Sequence, residues 1–119
     1  WALSLRPMAP TLGSCILSLK RAEESFAGLT ADEGASLIKM VSMTDGALQK
    51  AFGFEKINYL MLMMVDFHVH FHVIPRYSEA KNFAGLSFED ANWPTPPDLG
   101  GIALDGETAT KIIAAIKVD

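Results

Sequence analysis

From Ile57 to Ile74 the chain is apolar almost throughout, and Asp66 is the only acidic residue in that block. A strand of ordinary length is about 5–6 residues, so the block divides. Asp66 is the natural place for a turn. The pattern predicts a tight hairpin, with one strand over Lys56–Met64 and a second over Phe67–Ile74, ended by Pro75. Within the second strand Val69, Phe71 and Val73 alternate with His68, His70 and His72. That is the period-2 pattern of a strand with one apolar and one polar face.

The rest of the chain punctuates more simply. Residues 1–12 read as irregular, with Pro7 and Pro10 interrupting any ladder. Cys15-Ile16-Leu17-Ser18-Leu19 reads as a short strand, stopped by the charged run Lys20 to Glu24. Thr30-Ala31-Asp32-Glu33 is a capping box, and Leu37, Ile38, Val41, Leu48 and Phe52 recur behind it at helical spacing. Gly46 weakens the middle of this helix and Gly53 is a fitting stop. Residues 76–104 read as loop, with Trp93-Pro94-Thr95-Pro96-Pro97-Asp98 too rich in proline for a helix. A final helix is predicted from about Gly106 to Lys117, capped by Asp105 or Thr108, with Ile112, Ile113 and Ile116 on its apolar side. The fold class is α+β: an antiparallel sheet with helices packed on it.

Composition narrows the function classes. The 119 residues are half apolar, enough for a single packed domain spanning 1–119, which a segment preceding Trp1 would extend. Ten basic residues against fourteen acidic ones give a net charge of −4. That balance argues against a nucleic-acid polymer as partner, which needs a basic face, but not against a small phosphate ligand. The longest uninterrupted apolar run, Tyr59 to Val65, is far short of the ~20 residues of a membrane span, and no secretory leader is read at the start. The single Cys15 fits a reducing, cytoplasmic compartment. Met61, Met63 and Met64 read as core filling rather than a thioether metal site, because consecutive strand residues point to opposite faces.

All three histidines of the chain stand on alternate residues of one short stretch. On a strand they form a row at intervals of ~6.6 Å. Four readings are open. The row is a solvated face; or it is a metal site, although an end-to-end span of ~13 Å is too long for one ion to take all three rings. It is a catalytic row, in which one imidazole attacks phosphorus and its neighbours donate to phosphoryl oxygens and leaving group. Or it binds a ligand of the same kind without turnover.

The stretch His68-Val69-His70-Phe71-His72-Val73-Ile74 matches the pattern His-φ-His-φ-His-φ-φ, where φ is apolar. It resembles the signature of the histidine-triad family of nucleotide hydrolases and transferases, and the continuation Pro75-Arg76 looks most like the fragile-histidine-triad, dinucleoside-polyphosphate-hydrolase branch. Gly13 to Arg21 is similar to the family's strand of the form Gly-His-φ-φ-φ-φ-Pro-Lys-Arg-His, so the resemblance covers about residues 11–76. It implies a histidine-triad fold, commonly a homodimer, and cleavage at the α-phosphorus of a nucleotide conjugate, either a dinucleoside polyphosphate or a nucleoside phosphoramidate, with adenine as the expected base. By the same resemblance His70 is the nucleophile that forms a nucleotidyl-histidine intermediate. His72 binds phosphoryl oxygen or assists the leaving group, and His68 orients and polarises His70. No metal or other cofactor is implied.

The chain also departs from the family's pattern. Met63-Met64-Val65-Asp66-Phe67 stands where the family has a polar, Gly-rich loop with Gln or Ser ahead of the first histidine. Asp66 is read there as a carboxylate closing its own turn. Two upstream histidines of the family are replaced by Ser14 and Ala22, of which Ser14 retains a donor for phosphate. Asn58 stands where the family often has an Asn near sugar or phosphate, so Asn58 and Ser14 are the expected substrate-binding residues. Lys20, Arg21 and Arg76 are read as solvated cations, and Trp93 as a packing anchor. The rival classes are a nucleotide-binding module with little or no turnover and, more remotely, a histidine-based metal-binding protein.

Overall fold

The computed structural model describes residues 1–117. Its strands are β1 (Ala2–Leu5), β2 (Met8–Ala9), β3 (Cys15–Ser18), β4 (Lys56–Leu60), β5 (His70–Arg76), β6 (Lys81–Phe83), β7 (Leu86–Phe88) and β8 (Ile102–Ala103). Its helices are α1 (Ala31–Phe52) and α2 (Gly106–Ala115). The main sheet has the order β1-β3-β5-β4 with every neighbouring pair antiparallel.

Register sorts the sheet's side chains into two faces, because residues directly opposite each other share a face. Leu5, Cys15, Val73 and Tyr59 form one row across the four strands, and Leu3, Leu17 and Phe71 form another. These rows carry the core. Leu17 and Val73 are buried together with Leu48 and Phe52 of α1, and Leu37, Met40 and Val41 pack against the same cluster. The opposite face carries the rows Ser4, Ile16, His72, Leu60 and Ala2, Ser18, His70. The apolar/histidine alternation along β5 therefore separates a face against α1 from a face that is free to do chemistry.

Helix α1 begins and ends as its sequence predicts. The Thr30 hydroxyl accepts from the Glu33 amide, the Glu33 carboxylate accepts from the Thr30 amide, and Gly53 closes the helix at φ 64° in the left-handed region. Ile38, expected on the apolar stripe, is instead mostly exposed. Helix α2 is capped by Asp105, whose side chain accepts from the Thr108 amide, and it ends at Ala115, short of the expected Lys117.

Four expectations are corrected. Residues 1–12 are not irregular: they hold β1 and β2, and Pro7 and Pro10 fall just outside both strands. Alternation of Leu3 and Leu5 with Ala2 and Ser4 is the strand pattern that the nearby prolines obscured. The hairpin is not tight. β4 stops at Leu60 and β5 begins only at His70, so residues 61–69 are a loop and His68 lies outside the strand. Apolar character misled there, because Met64 and Val65 are 78% and 97% exposed. Pro75 lies within β5, opposite Ile57 of β4, where β3 has already ended at Cys15 and has no ladder to lose. Finally, residues 76–104 contain β8, which pairs with β2, and the hairpin β6–β7. That hairpin turns through Ala84 and Gly85 at φ 52° and 79°, the positive pair that a two-residue turn between twisted strands requires.

At the far end of the histidine face Arg76 is buried, not solvated as expected. Its Nε and Nη2 donate to the two oxygens of Asp90 at 2.6 and 3.1 Å, its Nη1 to Asn58 Oδ1 at 2.7 Å and its Nη2 also to the Thr95 carbonyl at 2.6 Å. The fork thus binds the loop after β7 to the centre of the sheet. Replacing Asp90→Ala leaves a guanidinium in a dry site with neutral acceptors only. Urea unfolding is expected to show a loss of about 3–5 kcal/mol, whereas the exposed pair Lys111–Glu107 can be cut with a loss below about 1 kcal/mol.

Candidate functional site

Hydrogen bonds to neutral carbonyls determine which ring nitrogen of each histidine carries a proton, since a carbonyl oxygen only accepts. His70 is 6% exposed, and its Nδ1 lies 2.5 Å from the His68 carbonyl oxygen. Nδ1 is therefore the protonated nitrogen, and in the neutral ring the lone pair sits on Nε2. His68 Nε2 lies 2.5 Å from the Leu19 carbonyl, so its proton is on Nε2. His72 is held differently. Arg6 Nη1 lies 3.4 Å from His72 Nδ1, and a guanidinium only donates, so Nδ1 accepts and Nε2 keeps its proton. The rings of His70 and His72 stand 5.0 Å apart at 80°, edge to face. One imidazole presents a lone pair and its neighbour an N–H.

The loop ahead of His70 is tied down by its backbone. Asp66 Oδ1 accepts from the His68 amide at 3.0 Å, the turn-closing role read from the sequence. The Val69 amide donates to the Glu23 carbonyl at 2.9 Å and the Leu19 amide to the Val69 carbonyl at 3.1 Å. These bonds place the His68 carbonyl where His70 needs it. The His68 carbonyl orients the His70 ring, while the His68 ring itself anchors to Leu19.

The two residues expected to bind substrate both hold hydrogen bonds within the protein. Ser14 is fully buried, and its hydroxyl donates to the Thr11 carbonyl at 2.9 Å. Asn58 shares the histidine face, but its Oδ1 accepts from Arg76. Ser14 serves the scaffold, whereas Asn58 is tied to it through its acceptor oxygen. Arg6 is the residue that sequence reading missed. It directly follows β1, its amide donates to the Ser14 carbonyl at 3.0 Å, and its side chain reaches His72 across β3. The signal was the period-2 step from Ser4 to Arg6, hidden while the segment was read as irregular.

A cavity of about 620 Å³ opens beside His68 and is lined by Glu23, Glu24, Asp66 and Phe67. A second, of about 430 Å³ and including Glu89, Asp90 and Asp98, shares no residue with the histidines. No cluster of three or more His, Cys, Asp or Glu side chains able to hold a metal ion occurs among the described residues. None of the described helices is long and apolar enough to cross a membrane. Burial pushes the Cys15 thiol up to about 12, which leaves it inert.

Solved structures share this architecture. A histidine triad protein of Bradyrhizobium japonicum aligns over 96% of this chain and 79% of its own length, at TM-score 0.75 and 21% identity. The fold is the histidine-triad fold. A hypothetical histidine triad nucleotide-binding protein of Sulfolobus tokodaii aligns over 97% of this chain and 74% of its own, at TM-score 0.73 and 20% identity. A histidine triad protein of Sinorhizobium meliloti aligns over 95% and 81%, at TM-score 0.70 and 27% identity. No family model and no curated protein matches the sequence. The histidine-triad neighbours do not single out the fragile-histidine-triad branch.

The triad has a testable electrostatic order. Partial burial lowers the His72 pKa below the usual 6.5, and the charges of Arg6 and then His70 lower it further. A folded-state value below the unfolded one means that the unfolded chain binds the proton first. The contribution of His72 to stability is therefore complete above pH 6.5 and is lost as pH falls from 6.5 towards the folded-state value. Titration of the His72 imidazole by NMR is expected to give a midpoint below 6.5 that rises in Arg6→Met; a midpoint at or above 6.5 in the native protein contradicts this geometry.

Proposed function

We propose that the chain is a nucleotide hydrolase or nucleotidyl transferase that works through a nucleotidyl-histidine on His70. The observation that carries this reading is the 2.5 Å contact of His70 Nδ1 with the His68 carbonyl, which leaves Nε2 as the nucleophilic atom. The Nε2 lone pair attacks the α-phosphorus, a P–N bond forms, and the leaving group departs with the electrons of its bond to phosphorus. His72 Nε2–H donates to a phosphoryl oxygen or to the departing group. Water then attacks the same phosphorus, the P–N bond breaks, and the nucleoside monophosphate leaves.

Of the two substrate types expected, the cavity favours the phosphoramidate. Glu23, Glu24 and Asp66 around the His68 end repel a polyphosphate tail and suit an amine. Adenine nucleotides remain the expected base class. A homodimer belongs to the same reading. Its support is the free edge of β4 and the exposed Leu62, Met64 and Phe67 in the loop beside it. Sedimentation at low concentration showing only a 12.9 kDa species contradicts the dimer. A second reading, a nucleotide-binding module with little turnover, is favoured by one observation: Ser14, an expected phosphate donor, is fully buried and spends its hydroxyl proton on the Thr11 carbonyl.

Single turnover with adenosine phosphoramidate labelled at phosphorus, quenched in alkali, separates the two. Label is expected on the native protein and absent from His70→Ala, whose kcat/KM falls by roughly a thousandfold or more. Nucleotide bound without label or product supports the binding module instead. His68→Ala keeps the backbone carbonyl that orients His70, so its loss is expected to be far smaller, roughly tenfold. A loss as large as that of His70→Ala contradicts the assignment of that role to the carbonyl.

A further inference from the structure

Arg6 is a cation without a counter-charge beside the triad. Its guanidinium is partly buried, and its two polar contacts are His72 Nδ1 at 3.4 Å and the Leu99 carbonyl at 2.5 Å, both neutral acceptors. Among the described residues Arg21, Arg76 and Lys111 stand in ion pairs with carboxylates, and Arg6 does not. A guanidinium offers five N–H donors in a rigid fork, so most of its capacity is unspent. Withdrawing a charge from water with no partner is unfavourable. Such a group sits in a site most economically when the ligand brings the opposite charge.

Its placement fits that role. Arg6 follows Ser4 by one strand period, and Ser4 shares its row with Ile16 and His72 on the histidine face. The side chain therefore reaches His72 from the side of the sheet opposite the core. Leu99 holds one end of the fork, so the guanidinium is oriented before a ligand arrives. By donating to Nδ1 it also keeps His72 Nε2 as a donor.

We propose that Arg6 is the anion-binding residue of this site, donating its free N–H groups to the non-bridging oxygens of a phosphate held against His70 and His72. The proposal rests on the triad being a nucleotide site. It gives the row a direction. A positive charge stands at the His72 end and carboxylates stand at the His68 end, so the phosphate is drawn towards Arg6 and the leaving group towards Glu23, Glu24 and Asp66. It also supplies phosphate donors where the loop of residues 61–67 presents mainly apolar side chains.

The test compares the native protein, Arg6→Lys and Arg6→Met in calorimetric titrations with AMP, inorganic phosphate and, as a neutral control, adenosine. AMP affinity is expected to fall roughly tenfold to a hundredfold in Arg6→Met, with Arg6→Lys between. Adenosine affinity is expected to stay unchanged in all three, and the salt dependence of AMP binding to flatten in Arg6→Met. Equal AMP affinity in the native protein and Arg6→Met overturns the proposal. So does a parallel loss of AMP and adenosine, which marks Arg6 as a tether for Leu99. Native protein that binds phosphate but neither AMP nor adenosine, with phosphate binding lost in Arg6→Met, supports the anion site and sinks the nucleotide reading. Native protein that binds none of the three sinks both.

Discussion

A backbone carbonyl can accept a hydrogen bond and cannot give one. That asymmetry, applied at the His68 carbonyl, determines what His70 is able to do. With Nδ1 donating to it, the ring has one orientation and one tautomer, and its lone pair faces away from the chain. Much of the surrounding structure serves to keep that carbonyl in place. Asp66 closes the turn before it, Glu23 and Leu19 pair with Val69 after it, and the His68 ring is pinned to Leu19. Residues that touch no ligand thus decide the chemistry available to the one proposed to form the covalent bond.

The sheet supplies the second constraint. Antiparallel register with β3 and β4 puts Phe71 and Val73 against α1 and leaves His70 and His72 on the opposite face, so core packing itself holds the imidazoles at their spacing. The end of β5 is anchored by the buried Arg76–Asp90 pair, which also takes Asn58 and the Thr95 carbonyl. Two arginines on this face have different fates. Arg76 makes four hydrogen bonds within the protein, two of them to a carboxylate, and acts as a rivet. Arg6 meets only neutral acceptors and retains its charge for something else.

Much of this was legible in the sequence where the relevant physics is local. The capping box at Thr30, the stop at Gly53 and the alternation through His70 and His72 depend on neighbours in the chain and appear as read, and the strand expected over Cys15–Leu19 runs Cys15–Ser18. The misreadings share a cause: partners distant in sequence. The apolar residues 61–67 look like strand, yet no facing strand covers Met64 or Val65. Ser14 carries a suitable hydroxyl, but its proton goes to the Thr11 carbonyl, and the Oδ1 of Asn58 accepts from Arg76. For Arg6 the local period-2 step from Ser4 marks only its face of the sheet, and its partner His72 lies 66 positions away.

The most direct test of the central claim is the tautomeric state of His70, read from the ¹⁵N chemical shifts and couplings of its imidazole in selectively labelled protein at neutral pH. The account predicts a neutral-ring spectrum with the proton on Nδ1 and a pyridine-like Nε2. A spectrum showing the proton on Nε2, or an average of the two forms, would mean that the His68 carbonyl does not control the ring, and the assignment of Nε2 as the attacking atom would fall with it.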